Sequence, residues 1–202
     1  MALPDGKDLD YLMGGTPVQQ EVYHLIQRYG LCEMLKDYHP VLVGTVPLDL
    51  QIPGSDLDLI CEVFHFHRFA DHVRRRFGHF PGFTLTRRRV HGVERLKANF
   101  NCGNWPVEVF AQPIPVHQQN GYRHMMAEAR VLRLFGEDFK RAVIQLKQRG
   151  FKTEPAFASL LGLEGDPYLR LLDLTDWTDE ELVSKFTSPI AGVKVELLNY
   201  KK

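Results

Sequence analysis

Apolar and polar residues alternate with two different periods along this chain. In residues 16–38, Thr16-Pro17 is a cap followed by a proline suited to the first helical position, and Val18, Val22, Leu25, Ile26 and Tyr29 recur at helical spacing. Gly30 can end that helix, and Leu31 to Tyr38 read as a further short helical turn before His39-Pro40 forces an extended backbone. Val41–Val43 reads as a buried strand ending at Gly44-Thr45. Val46 to Gly54 contains Pro47, Pro53 and Gly54 and so reads as a loop, although Leu48, Leu50 and Ile52 alternate as an edge strand would. Asp56 to Phe64 is predicted as the second strand, and Arg68 to Phe77 as a helix with Arg74, Arg75 and Arg76 on its outer face. Phe83 to Arg89 and Arg95 to Asn101 read as a hairpin around His91-Gly92, and Pro106 to Phe110 as a third apolar strand with one acid, Glu108, at its centre.

From His117 the period becomes helical. Met125–Phe135 and Glu137–Arg149 are predicted as amphipathic helices parted by Gly136, with Gly150 as the stop for the second. Thr153-Glu-Pro-Ala starts another helix, Asp166-Pro-Tyr168 a short one, and Thr178-Asp-Glu-Glu181 matches a capping box ahead of Leu182 to Phe186. Residues 187–202 show no readable pattern. The expected class is α+β: a mixed β-sheet with flanking helices in residues 1–115, and a helical carboxyl-terminal region, 116–202, packed on that core or continuous with it.

The feature that breaks the apolar pattern is Ser55-Asp-Leu-Asp-Leu-Ile60. In a strand Asp56 and Asp58 point to one face while Leu57 and Leu59 pack the other. Two carboxylates side by side repel unless a cation, a proton or Arg/Lys offsets them, so the pairing points to a divalent metal.

Composition narrows the function classes. The chain has 202 residues, 44% of them hydrophobic and 25% charged, which is ordinary globular usage. Its 25 acids and 25 bases cancel, arguing against a protein whose main business is wrapping duplex nucleic acid. The sequence holds no 18-residue apolar run, and Met1-Ala-Leu-Pro-Asp-Gly-Lys7 has no signal-peptide core, so no membrane partner and a cytoplasmic location are expected. Cys32, Cys61 and Cys102 are isolated and odd in number, which disfavours a disulfide framework or a zinc site.

Val43-Gly44-Thr45, Asp56-Leu57-Asp58 about ten residues later, and Val107-Glu108-Val109 resemble the pattern of the nucleotidyltransferase superfamily, the DNA polymerase beta-like fold. Thr45 departs from it, standing where Ser or a second Gly is usual. Val43-Gly-Thr-Val-Pro47, Ser55 to Cys61, Gln118 to Met125 and Lys152 to Ala158 look more particularly like an uncharacterised bacterial branch of that superfamily known as a domain of unknown function, a similarity reaching to about Leu172. The resemblance implies a mixed sheet and a Mg²⁺- or Mn²⁺-dependent transfer of a nucleoside monophosphate from a nucleoside triphosphate to a hydroxyl; the acceptor could be a small molecule, a protein or an RNA end, and the modest size of the chain, with no separate RNA-binding module to be read in it, favours a small molecule or protein. The physical logic agrees, since three carboxylates on adjacent strands can hold two Mg²⁺ ions that neutralise charge on a transferring phosphoryl group. Asp56 and Asp58 would bridge the ions and Glu108 would serve as ligand or general base. Gly44, Thr45 and Ser55 would contact the triphosphate, with Arg123 and Lys152 as further phosphate contacts. Gln118, Asn120, His124 and Glu128 are polar candidates for the substrate side.

Each of these residues also has a plainer reading. Asp56 and Asp58 could be an exposed turn pair after Pro53-Gly54-Ser55, Glu108 a solvent-facing strand residue, Thr45 a turn hydroxyl, and Lys152 part of an ordinary helix start. His124 and Glu128, four residues apart, could be a catalytic pair or a helix surface contact. Arg74–Arg76 and Arg87–Arg89, with Phe77, Phe80 and Phe83 between them, could bind nucleic acid or be solvated charge. His65-Phe-His67 has zinc-like spacing on a strand but no neighbouring ligand. The alternative to an enzyme is a protein of the same fold that binds a nucleotide or partner without transfer.

Overall fold

A computed structural model describes residues 8–186. Contacts divide them into two compact units, one of residues 8–49 and 53–122, the other of residues 123–186 with 50–52.

The first unit is organised on a five-stranded sheet of β1 (Val41–Val43), β2 (Leu57–Glu62), β3 (Thr84–Val90), β4 (Val93–Cys102) and β5 (Trp105–Gln112), in the order β1-β2-β5-β4-β3. Only β2 and β5 run parallel, which makes the sheet mixed. Every second residue of the three central strands faces one core. Leu57, Leu59 and Cys61 of β2, Val107, Val109 and Ala111 of β5, and Leu96, Ala98 and Phe100 of β4 are buried in one cluster with Val22 and Ile26 of α1 (Pro17–Tyr29) and with Phe66, Phe69, Ala70, Val73 and Phe77 of α3 (Phe66–Phe77), α2 being Leu31–Met34. The α3 residues recur at helical spacing, so the helix turns one apolar stripe to the sheet and leaves Arg74, Arg75 and Arg76 exposed.

The capping box that starts α1 also serves the loop after β1. The Thr16 backbone N–H donates to Gln19 Oε1 (3.0 Å), while the buried Gln19 Nε2 donates to the carbonyls of Val46 (2.9 Å) and Pro47 (3.3 Å). Thr16 Oγ1 donates to Asp49 Oδ1 (2.9 Å). One glutamine therefore fixes the helix start against the turn that follows Gly44-Thr45.

Several sequence expectations need correction. The second strand begins at Leu57, not Asp56, because the position across from Asp56 falls at Pro106, which has no N–H to offer the ladder. The loop reading of Val46 to Gly54 holds, by contrast: Leu48 and Leu50 form no strand and are buried from a turn, closed by Leu48 N–H donating to the Thr45 carbonyl. His65 and His67 are not on a strand, since α3 begins at Phe66; residues two apart on a helix do not face each other, and His67 instead meets Arg87 (3.1 Å). Phe77 and Phe80 are buried, their rings 5.0 and 5.1 Å from that of Phe100, and Phe83 is half-buried, so of the two readings of the basic runs the one with an aromatic nucleic-acid platform finds no exposed rings there. A 3₁₀ turn at Asp10–Gly14 with buried Leu12 was not legible. The three cysteines are free thiols.

The helix α4 (Asn120–Gln148), which belongs to the second unit from Arg123 onward, is broken at Gly136, whose φ of 71° lies in the left-handed region, as its sequence suggests. α5 (Thr153–Leu161), α6 (Pro167–Asp173) and α7 (Asp179–Lys185) follow. Asp166 accepts from Tyr168 N–H, the Thr178–Glu181 capping box forms, and Asp179 ties α7 to Arg130 and Arg133 of α4, both at 2.6 Å. Residues 1–7 and 187–202 lie outside the described residues. No helix among the described residues is long and apolar enough to cross a membrane.

Two outcomes are expected. Gln19→Ala removes a cap and strands two carbonyls, and should cost about 2 kcal/mol in chemical denaturation. Glu128 is 3% exposed, and burial first, then the Glu154 carboxylate, hold its carboxyl well above the usual range against the opposing pull of Lys147. A raised folded pKa gives stability that is complete below the unfolded value of about 4.3 and lost as pH rises through the folded value. Glu128→Gln cannot titrate, so its melting temperature should fall less steeply than the wild type's from pH 5 to 8.

Candidate metal centre

The antiparallel β1–β2 pairing sets Val43 opposite Asp58, and the parallel β2–β5 pairing sets Asp58 beside Glu108. Paired residues project to the same face. Asp56, one residue before the strand, reaches the same place: ligand oxygens of Asp56, Asp58 and Glu108 all lie within 4.8 Å of one another. Asp56 is exposed and the other two are half-buried, so the group opens to solvent. Among the described residues this is the one cluster of three or more potential metal ligands, and His65 and His67 have no part in it.

Gly44 is required by this geometry. Its φ is +82°, which L-residues rarely adopt, and a Cβ there would sit 2.5 Å from Asp58 Oδ2. The missing side chain lets the end of β1 lie directly against the Asp58 carboxylate. Thr45 follows at the start of the turn held by Gln19, and Ser55 precedes Asp56; both are half-buried.

Two contributors escape sequence reasoning. Lys97 on β4 donates from Nζ to Glu108 Oε2 at 2.6 Å, and Asn99 stands directly across from Glu108. The signal was present as alternation, with Leu96, Ala98 and Phe100 inward and Lys97 and Asn99 outward, but it needs the β4–β5 register to acquire meaning. Gln19 was readable only as the third residue after the Thr16 cap.

The remaining candidates are distributed as follows. Gln118 and Asn120 are exposed residues of the first unit, Gln118 beside His117 (3.3 Å), with the buried Gln119 between them donating to the Cys61 carbonyl at 2.9 Å. Gly121, at the start of α4, lies over Val43 and Ile60, so a Cβ there would be 3.5 and 3.7 Å from their methyl groups. Arg123, His124, Glu128 and Lys152 belong to the second unit. Arg123 is half-buried and Lys152 is the exposed residue preceding α5. His124 and Glu128 are both buried and so form no solvent-facing pair. The His124 ring meets the Tyr168 carbonyl (2.9 Å) and Glu154 (3.5 Å), and Lys147 donates to Thr153 Oγ1 (3.2 Å).

The donor set fits a hard divalent cation. All three ligands are carboxylates, with no sulfur or imidazole, as Mg²⁺ or Mn²⁺ prefers. Three anions this close repel by about 1 to 3 kcal/mol per pair at the effective dielectrics of a protein surface. Lys97 offsets one of them.

No curated protein matches this chain. Solved structures with a similar backbone include the Cid1 poly(U) polymerase with MgGTP bound, at 12% identity and a TM-score of 0.48, covering 75% of this chain and 47% of that one. Another Cid1 structure, described for its RNA terminal uridylyl transferase activity, gives 11% and 0.49 with coverage of 81% and 52%. The polymerase core of TRAMP, an RNA surveillance complex, gives 14% and 0.46 with 86% and 59%. The chain thus spans about half the length of these structures. The sequence model of the Domain of unknown function (DUF4269) matches residues 24–174, well over half of the chain, and the chain belongs to that family.

Proposed function

We propose that this chain is a Mg²⁺- or Mn²⁺-dependent nucleotidyltransferase that moves a nucleoside monophosphate from a nucleoside triphosphate to a hydroxyl. The observation that carries the reading is the convergence of Asp56, Asp58 and Glu108 within 4.8 Å beside a glycine turn with positive φ. A purely structural role asks for no such arrangement, since three carboxylates cost free energy unless a cation repays them.

Asp56, Asp58 and Glu108 would hold the metal, which when bound neutralises the charge that develops on the transferring phosphoryl group. Glu108 would serve as ligand or as base on the metal's acceptor side, and Lys97 would keep its carboxylate aimed at the cluster. Gly44 and Thr45, in the turn after β1, and Ser55, next to Asp56, would contact the triphosphate, since backbone N–H and hydroxyl donors suit a phosphate oxygen. In the transfer, the acceptor oxygen bonds to the α-phosphorus, the bond from that phosphorus to the bridging oxygen breaks, pyrophosphate leaves, and the hydroxyl proton passes to Glu108 or to water. Gln118 and Asn120 are proposed substrate contacts on sequence grounds alone.

The test combines binding with chemistry. MgATP, MgGTP, MgCTP or MgUTP should raise the melting temperature of the wild type, by the linkage of ligand to the folded state. With labelled triphosphate and a cell extract, the wild type should label an acceptor, and Asp58→Asn should do so at least about a hundredfold more slowly, a ΔΔG‡ near 2.7 kcal/mol. No stabilisation by any triphosphate with Mg²⁺ or Mn²⁺ rejects the nucleotide reading, and equal labelling by Asp58→Asn rejects the metal mechanism.

A further inference from the structure

The face of the sheet that carries Asp58 and Glu108 continues across β4 and β3. Paired residues share a face, so Asn99 opposite Glu108, Thr84 opposite Asn99, Thr86 opposite Lys97, and Arg88 opposite Arg95 all lie on it. The alternation divides the Arg87–Arg89 run. Arg87 projects to the core side, where it pairs with Glu94 and lies over the Phe66 ring, whereas Arg88 projects beside the acids' face.

Two like charges directly across an antiparallel pair destabilise it. Neither Arg88 nor Arg95 has an ion-pair partner among the described residues, and Arg95 Nε is buried with no hydrogen bond. A buried N–H left unpaired beside a second unpaired guanidinium calls for an anion, as the three acids call for a cation. Guanidinium groups bind phosphate through parallel N–H donors, and a dianionic phosphomonoester balances two of them.

We infer that Arg88 and Arg95 form the phosphate-holding end of an acceptor subsite, and that the acceptor is a small phosphomonoester bearing a free hydroxyl. The word acceptor rests on the nucleotidyltransferase reading; the phosphate site itself does not. Arg95 stands four residues from Asn99, about 13 Å along the strand at about 3.3 Å per residue, and an arginine side chain reaches back over half of that. A molecule the size of a phosphorylated sugar spans the rest, passing Lys97. A single-stranded nucleic acid is less suited, because the β3 and β4 residues on this face, from Thr84 to Val90 and from Val93 to Asn101 at every second position, include no aromatic ring on which a base could stack.

The test uses the full chain in EDTA, with glycerol 3-phosphate, inorganic phosphate, glycerol and a ten-nucleotide single-stranded RNA as probes, followed by calorimetric titration and thermal melting. Glycerol 3-phosphate and inorganic phosphate should bind the wild type and raise its melting temperature, and glycerol should not. Arg88→Gln, at an exposed position, should bind glycerol 3-phosphate at least about tenfold more weakly, the loss of one charge-assisted contact. Without ligand it should melt no lower than the wild type, because a repulsion has been removed; Arg95→Lys, which keeps the charge but not the fork, should weaken phosphate in the same direction. No phosphate binding, or equal binding by Arg88→Gln, overturns the inference. RNA binding tighter than that of glycerol 3-phosphate and lost in Arg88→Gln overturns it in favour of a nucleic-acid surface. MgATP stabilisation, measured on the same protein preparation in buffer with excess Mg²⁺ and no EDTA, separates the two readings, because its presence without phosphate binding removes only the acceptor subsite, and its absence with phosphate binding removes only the nucleotide reading.

Discussion

Three carboxylates held within 4.8 Å of one another are the constraint to which the first unit answers. The parallel β2–β5 register brings Asp58 beside Glu108, and a one-residue slip would send Glu108 to the core side and Val107 or Val109 to the acids. That register is pinned from the opposite face, where Leu57, Leu59, Val107 and Val109 are packed under α1 and α3. Burial on one side thereby enforces an electrostatically costly arrangement on the other. Gly44 completes it, since a Cβ would stand 2.5 Å from Asp58 Oδ2, and Gln19 holds the turn that follows.

Much of this was legible in the sequence, for identifiable reasons. Asp56-Leu-Asp58 and Glu108 interrupt apolar runs, and an acid in such a run announces itself without knowledge of the fold. Caps are local, so Thr16-Pro17, Asp166-Pro167 and Thr178–Glu181 marked their helices correctly. What escaped was non-local. Lys97 meets Glu108 only through the β4–β5 ladder, and the burial of Phe77 and Phe80 depends on Phe100, which no short window connects to them. Leu48, Leu50 and Ile52 alternate like a strand, yet burial of a turn produces the same pattern. His65-Phe-His67 read as a strand because the apolar run before it conceals the start of α3.

Charge is ordered across the sheet. Acids occupy β2 and β5, Lys97 meets Glu108 from β4, and Arg88 and Arg95 face each other toward the β3 edge, so a net charge of zero conceals a gradient along one face. Such a gradient suits a substrate pair in which the metal-bound triphosphate lies at one end and an anionic group at the other. In the second unit the charges are turned inward instead, with Glu128, Lys147 and His124 buried around Glu154 and Thr153. Burial there accounts for the raised Glu128 carboxyl without any appeal to catalysis.

The central claim is that the three acids exist to hold a divalent cation. It is tested most directly by crystals grown with MnCl₂ and measured at the manganese absorption edge. The account predicts an anomalous peak bonded to oxygens of Asp56 and Asp58, with Glu108 on that ion or a second one, at about the 2.0 to 2.2 Å expected of a small hard cation. Crystals saturated with Mn²⁺ and a triphosphate that gave no peak between these carboxylates, with Lys97 still on Glu108, would contradict it.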